Sequence, residues 1–192
     1  KKELLRKSGP IEIVSDRMEA FQEKHTIVFS GNAVATRGDI TLKTDRLAIF
    51  YKPSGPAKEK TGRPDAAVAG DLERIELKGN VVITQGDLRL TAGRTTVSYT
   101  NQGSLRIQRI DATGGVTVNR GNESARGAAG VYDFNRRVIV LSGGVALRRG
   151  TDTLNGGRVT MDLNSGVSSV DGTGSTGPQG GRVTGSFSVP EN

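Results

Sequence analysis

The chain has 192 residues, 34% hydrophobic and 4% aromatic, with 27 glycines, no tryptophan and a formal charge of +7. That composition points to thin β-branched strands joined by many turns, and the lack of cysteine excludes disulfides, thiolate metal sites and cysteine nucleophiles. No metal, cofactor or nucleic-acid partner is expected: there is one histidine, and the basic residues are scattered singly without interleaved aromatics, although a polyanionic ligand such as a phosphorylated lipid fits the charge.

The basic start Lys1 to Lys7 is not followed by the apolar run of a signal peptide, and no stretch approaches the roughly 18 apolar residues of a membrane helix, so a soluble chain, processed or trimmed, is expected. The first predicted strand is Ile11-Glu12-Ile13-Val14-Ser15-Asp16-Arg17-Met18. Shifted by 29 positions it matches Ile40-Thr41-Leu42-Lys43-Thr44-Asp45-Arg46-Leu47, so the chain opens on half of a larger unit.

That unit is a frame of about twenty-one residues: a glycine (position 0), a second glycine at +7 and a large apolar residue at +20. It recurs as Gly31, Gly38, Tyr51; Gly79, Gly86, Tyr99; Gly114, Gly121, Phe134; and Gly143, Gly150, Leu163. Positions −4, −2, +2 and +4 are apolar in every unit, as in Ile75, Leu77, Val81 and Ile83, so a strict period of two runs straight through the glycine. Such alternation marks a strand with one buried face, bent or bulged at its glycine. The pattern resumes after +7 with Ile40/Leu42 and Leu88/Leu90 at +9 and +11, then shifts parity to +16, +18 and +20. Between the halves, Arg37-Gly38-Asp39, Gln85-Gly86-Asp87, Arg120-Gly121-Asn122 and Arg149-Gly150-Thr151 are apt for tight reversals, making each unit a long β-hairpin.

Two segments break the frame. Residues 52–73, with Pro53, Pro56 and Pro64, are expected to form a loop insertion. Residues 164–192 form a glycine-rich C-terminal part in which 164–182 pair loosely or are poorly ordered, and Val170, Gly174 and Gly181 repeat positions −4, 0 and +7 ahead of a possible edge strand Arg182–Val189. With half-units at both ends, a single all-β domain over residues 1–192 would carry two unpaired edges, at Ile11, Glu12, Ile13 and Val14 and at Arg182, Val183, Phe187 and Val189. A parallel β-helix is the rival architecture, disfavoured by strands this long.

Catalysis finds no constellation. Asp16 and Asp45 are equivalent by repeat and suit a turn-flanking structural role better than general acid-base work. His25 lies in a polar connection without a serine and carboxylate arrangement. Arginine recurs at +15 (Arg17, Arg46, Arg94, Arg158), opposite in parity to the apolar rows, and reads as a solvated face ahead of the alternative, a ligand-phosphate role.

The series Ser15-Asp16-Arg17-Met18-Glu19-Ala20, then Phe29-Ser30-Gly31-Asn32-Ala33-Val34-Ala35-Thr36-Arg37-Gly38-Asp39, then Lys78-Gly79-Asn80-Val81-Val82-Ile83-Thr84-Gln85-Gly86-Asp87 resembles the LptA and OstA-like family of periplasmic lipopolysaccharide-transport bridge proteins. The likeness runs from about Pro10 to Leu163. It implies stacked antiparallel hairpins forming a twisted, partly open β-jellyroll around an apolar groove, in a periplasmic, non-enzymatic protein. It further implies that the groove carries lipopolysaccharide acyl chains, while the strand edges join an inner-membrane-anchored component, an outer-membrane component and further copies head to tail. On that reading Ile27, Phe29, Val81, Ile83, Leu88, Leu90, Val97, Val116, Val118, Tyr132, Leu141, Val145, Leu147 and Met161 line the groove. The same residues would equally make the closed core of a structural or adhesive stacked-β protein with no lipid ligand.

Overall fold

The computed structural model describes residues 11–52, 72–100, 106–174 and 180–189. Its regular elements are all strands: β1 Glu12–Val14, β2 Arg17–Phe21, β3 Thr26–Arg37, β4 Ile40–Tyr51, β5 Leu72–Gln85, β6 Leu88–Thr100, β7 Arg106–Arg120, β8 Glu123–Asp133, β9 Val138–Arg149, β10 Asp152–Asp162, β11 Ser168–Asp171 and β12 Thr184–Ser186. β3 to β10 pair in chain order as an antiparallel meander, and the short strands flank it in one open sheet. Every pairing is antiparallel, so the β-helix is set aside.

The two glycines of the frame do different jobs. At +7, Gly38, Gly86, Gly121 and Gly150 take φ of 58–59° in two-residue loops closed by the pairs Arg37↔Ile40, Gln85↔Leu88, Arg120↔Glu123 and Arg149↔Asp152. A positive φ at the first loop residue only is the type II′ turn, whose twist suits a hairpin. At position 0 two consecutive residues turn left-handed: Gly31-Asn32, Gly79-Asn80, Gly114-Gly115 and Gly143-Gly144. Between Ser30 and Ala33 two residues of β3 face one residue of β4, and the same slip recurs at each later corner. Two against one is a bulge. It keeps the inward parity on the glycine strand and flips it on the returning strand, which accounts for the parity shift between +11 and +16.

All these corners fall on one line across the sheet, so the sheet folds over along it and both halves of every strand turn the same face inward. Ser168 on β11 lies in register, through Met161 and Ile139, with Tyr132 on β8. A flat sheet would hold Glu123, nine residues from Tyr132, roughly 30 Å along and about 14 Å across from Ser168. Instead the Ser168 hydroxyl donates to the Glu123 carboxylate. The fold brings the hairpin-tip half over the opposite half, displaced by three strands.

At the N-terminal end, β1 pairs with Val34–Thr36 and β2 with Thr26–Ser30 of β3, together making one more bent strand. The C-terminal end differs from expectation. Val170 faces Val159, the place Leu141 takes on the other side of β10, so Val170 occupies the −2 row rather than −4. The next corner position is therefore Gly172; the glycines at 174 and 181 mimic the frame without holding its register. Ser168–Asp171 is a properly paired strand within the segment expected to be loosely ordered. The expected strand Arg182–Val189 shrinks to Thr184–Ser186, with Arg182, Val183, Phe187 and Val189 outside it. The insertion expected over residues 52–73 is also trimmed, because Leu72 and Glu73 start β5 and Leu72 is fully buried; residues 53–71 lie outside the described residues.

Candidate functional site

The folded sheet brings the fourteen candidate interior residues into one apolar cluster. Twelve of them are 0–9% exposed, and Phe29 and Leu88 are half-buried against the rest. The same rows add side chains that belong to the apolar pattern but not to the candidate groove lining, among them Leu42, Leu47, Ile49, Leu77, Ile110 and Val159. Their signal was the repeat itself, since each occupies a position whose equivalents were already chosen. Burying each such aliphatic side chain contributes roughly 1.5–3 kcal/mol, so the rows both hold the fold and offer an oily surface. Thr95 interrupts the +16 row: its buried hydroxyl is unpartnered among the described residues.

The half-buried apolar residues mark where the interior meets solvent. Ile40 and Leu88 follow the hairpin tips at +9, while Tyr51, Tyr99 and Phe134 stand at +20 on the opposite lip. Tyr132 and Phe134 stack at 4.0 Å between ring centroids, and His25 meets the Tyr51 ring edge-on at 5.6 Å. Burial pushes the Tyr99 hydroxyl up to about 12, with the Arg37 guanidinium pulling it back. Burial likewise raises the Tyr132 hydroxyl, opposed by Arg137 and Arg120 and assisted by Asp39. Arg37, Asp39 and Arg120 belong to hairpin tips, so these influences act across the lips from one half to the other.

In the third unit +9 is Glu123, 8% exposed where the first two units place Ile40 and Leu88. Its carboxylate accepts from Arg149 at 2.7 Å and from the Ser168 hydroxyl, bridging the lips near the C-terminal end. Asp152, the fourth-unit equivalent, accepts from the Ser188 backbone N–H at 3.3 Å. The +15 arginines Arg17, Arg46, Arg94 and Arg158 are all exposed, as a solvated face requires.

Asp16 and Asp45 serve the corners. Asp16 Oδ2 accepts from Asn32 Nδ2 at 3.3 Å and Asp45 Oδ2 from Asn80 Nδ2 at 2.9 Å, each reaching into the neighbouring unit's bend. His25 has a left-handed backbone (φ 48°), and its carbonyl accepts the Tyr51 N–H at 3.1 Å. At the N-terminal edge Ile11 and Ile13 pack against the core, while Glu12 and Val14 are exposed. At the C-terminal edge Arg182, Val183, Phe187 and Val189 are all exposed. Among the described residues no group of histidine and carboxylate side chains could hold a metal ion.

An open, folded antiparallel sheet with one apolar interior is the class of molecule these features define, and comparison with known proteins narrows it. The family model described as "LptA/(LptD N-terminal domain) LPS transport protein" matches residues 12–74 and 64–167. The chain belongs to this family of lipopolysaccharide transport proteins. It is also similar, at 29% identity over 68 residues, to the uncharacterized protein R00383 of Rhizobium meliloti (strain 1021); the match spans 35% of this chain and a third, 33%, of that relative. Among solved structures it is similar to LptH, the LptA-homologous periplasmic component of the lipopolysaccharide transport device of Pseudomonas aeruginosa, at 14% identity and a TM-score of 0.37 over 94% of this chain and 96% of that one.

Proposed function

We propose that the chain is a non-enzymatic, periplasmic section of a lipopolysaccharide bridge, a single β-jellyroll domain that shelters acyl chains in its folded interior and joins its neighbours through its terminal strands. The observation that carries this reading is where the exposed apolar side chains lie. Among the described residues the exposed large hydrophobics are Val14, Met18, Phe21, Val167, Val183, Phe187 and Val189. All seven lie on or beside the first two and last two strands, and none on β3 to β10. An isolated sheet hides its edges behind charge or a covering element, whereas apolar residues at both ends favour strand addition by another chain. The occupants proposed are a membrane-anchored component at one end of the bridge, an outer-membrane component at the other, and further copies head to tail between them.

Lipid occupancy requires the lips to part, since the interior residues pack against one another without ligand. Photo-crosslinkers at Ile83 and Val118 should capture lipopolysaccharide, and a failure at both positions would sink the interior as a lipid path. The closed-core structural protein is the second reading, and the 0–9% exposures of the interior favour it. Scattering separates the remaining question: concentration-dependent elongation should appear and be lost on Val14→Lys with Phe187→Lys, both of which replace exposed side chains (72% and 62%).

A further inference from the structure

Position +6, immediately before the hairpin glycine, is arginine in three of the four units: Arg37, Arg120 and Arg149, with Gln85 in the second. In each strand it continues the inward row, two residues beyond Ala35, Val118 and Leu147, which are 2%, 0% and 6% exposed. Arg37 and Arg120 are half-buried, in contrast to the exposed +15 arginines on the outer face, whereas Arg149 is exposed. The row therefore changes from aliphatic to guanidinium at the lip, where the interior meets water. Arg149 is held by Glu123, which the Ser168 hydroxyl reaches from the opposite half, so this row does stand over the opening. The turn residue at +8 is Asp39 or Asp87 in the first two units but Asn122 and Thr151 in the last two, and among the described residues Arg120 makes no ion pair.

We propose that Arg120, with Arg37 along the same lip, forms an oxyanion-binding rim that takes phosphate groups on the headgroup of an amphiphile whose acyl chains enter the interior. The proposal rests on the lipid-path reading above and adds to it the headgroup chemistry the opening selects. Guanidinium suits this task because its fork of donors pairs two phosphate oxygens at once while its flat face tolerates an apolar neighbour. The opposite lip lies within reach of this charge: burial raises the Tyr99 hydroxyl and the Arg37 guanidinium pulls it back.

The test measures binding of the full chain to diphosphorylated lipid A, to the same lipid dephosphorylated, and to inorganic phosphate alone. The wild-type protein should prefer the phosphorylated lipid by about tenfold, the scale of one lost charge-assisted contact. Arg37→Gln with Arg120→Gln should bring that ratio close to one while leaving affinity for the dephosphorylated lipid unchanged, which also reports that the variant is folded. Arg46→Gln with Arg94→Gln removes the same charge from the outer face and should keep the ratio. A ratio unmoved in the rim variant, or lost equally in the outer-face variant, overturns the rim and leaves the lipid path standing. Inorganic phosphate binding as tightly as the phosphorylated lipid overturns the headgroup assignment in favour of a free-anion site. If the wild type binds neither lipid, the lipid path itself fails and the rim with it.

Discussion

The corners of the first two units and those of the last two reach the same backbone bend by different chemistry. Gly31-Asn32 and Gly79-Asn80 are clasped by Asp16 and Asp45, whose carboxylates accept from the asparagine side chains at 3.3 and 2.9 Å. Gly114-Gly115 and Gly143-Gly144 have no such clasp: the position equivalent to Asp45 is Gly93 in one case and Ala128 in the other. The clasped corners hold a non-glycine residue at φ of 46–47° through a hydrogen bond, and the unclasped corners meet the same requirement by giving up the side chain. What the repeat conserves within this chain is thus a pair of left-handed backbone conformations rather than particular residues. Carboxylate and asparagine appear together or are replaced together because each alone leaves a polar group idle or a strained residue unsupported.

The largest break in this comparison should come from Gly79→Ala. Its φ is +85°, and a Cβ there would stand 2.5 Å from Asp45 Oδ2. Strain and displacement of the clasp together should cost roughly 3 kcal/mol, read as a lowered urea midpoint at unchanged slope. Gly114→Ala is the control at the same position of an unclasped corner: φ is +78° and the Cβ would approach the Gly93 backbone no nearer than 3.2 Å, so a smaller cost of about 1–2 kcal/mol, mostly the backbone term, should remain. If the two substitutions cost the same, the clasp contributes no steric constraint. Next in size is Asp45→Ala, which leaves Asn80 left-handed without its acceptor and should cost about 1 kcal/mol. Asn80→Gly added to it should recover most of that loss, because the pair then resembles the glycine corners; additive losses would refute the coupling. A smaller loss, about 0.5–1 kcal/mol, is expected for Gly115→Asn, an asparagine placed where Gly93 offers no carboxylate.

The repeat made much of this architecture legible, and the reasons differ by feature. Period-two rows at −4, −2, +2 and +4 fixed the inward face because burial acts on every strand in the same way. Even the bulge left a trace, as the parity shift from Leu42 to Leu47 and from Leu90 to Val97. The three-strand displacement that sets Glu123 against Ser168 left none, since it depends on how far the whole sheet coils, a sum of small twists with no residue of its own. Nor did the C-terminal register: Gly174 and Gly181 repeat the glycine spacing, while Val170 pairs where Leu141 does and not where Ile139 does. Spacing alone could not separate a glycine at a corner from a glycine in a loop. At the lip, the acidic residues Glu123 and Asp152 at +9 read as a groove mouth or a strand end, while the arginines at +6 stay hidden for another reason. Arginine at +6 shares parity with the interior, but the glycine that follows it makes it read as part of the polar turn and not of the row behind it.

Carboxylates divide along the same line as the corners, and pH should expose the division by the smallest of these effects. In the first half Asp16 and Asp45 spend their hydrogen bonds on asparagine side chains. In the C-terminal half Asp162 accepts from the backbone N–H groups of Asn164 and Ser165 in the turn between β10 and β11, and Asp171 accepts from that of Thr173. Bonds from Ser165 and then Asn164 hold the Asp162 carboxyl below the ordinary 3.8, and bonds from Thr173 do the same for Asp171. A depressed folded-state value means that the ionised form favours the folded turn, so the contribution is complete above the unfolded value and fades as pH falls through the lower folded one. Both groups are solvent-exposed, so the consequence is local. Amide exchange, corrected for its intrinsic pH dependence, should lose protection at Asn164, Ser165 and Thr173 as pH drops below 3.8. Asp162→Asn should remove the pH dependence at Asn164 and Ser165 alone. A protection loss spread evenly over both halves would mean that acid loosens the whole sheet, and that the two ends of the stack are not held by different uses of the same side chain.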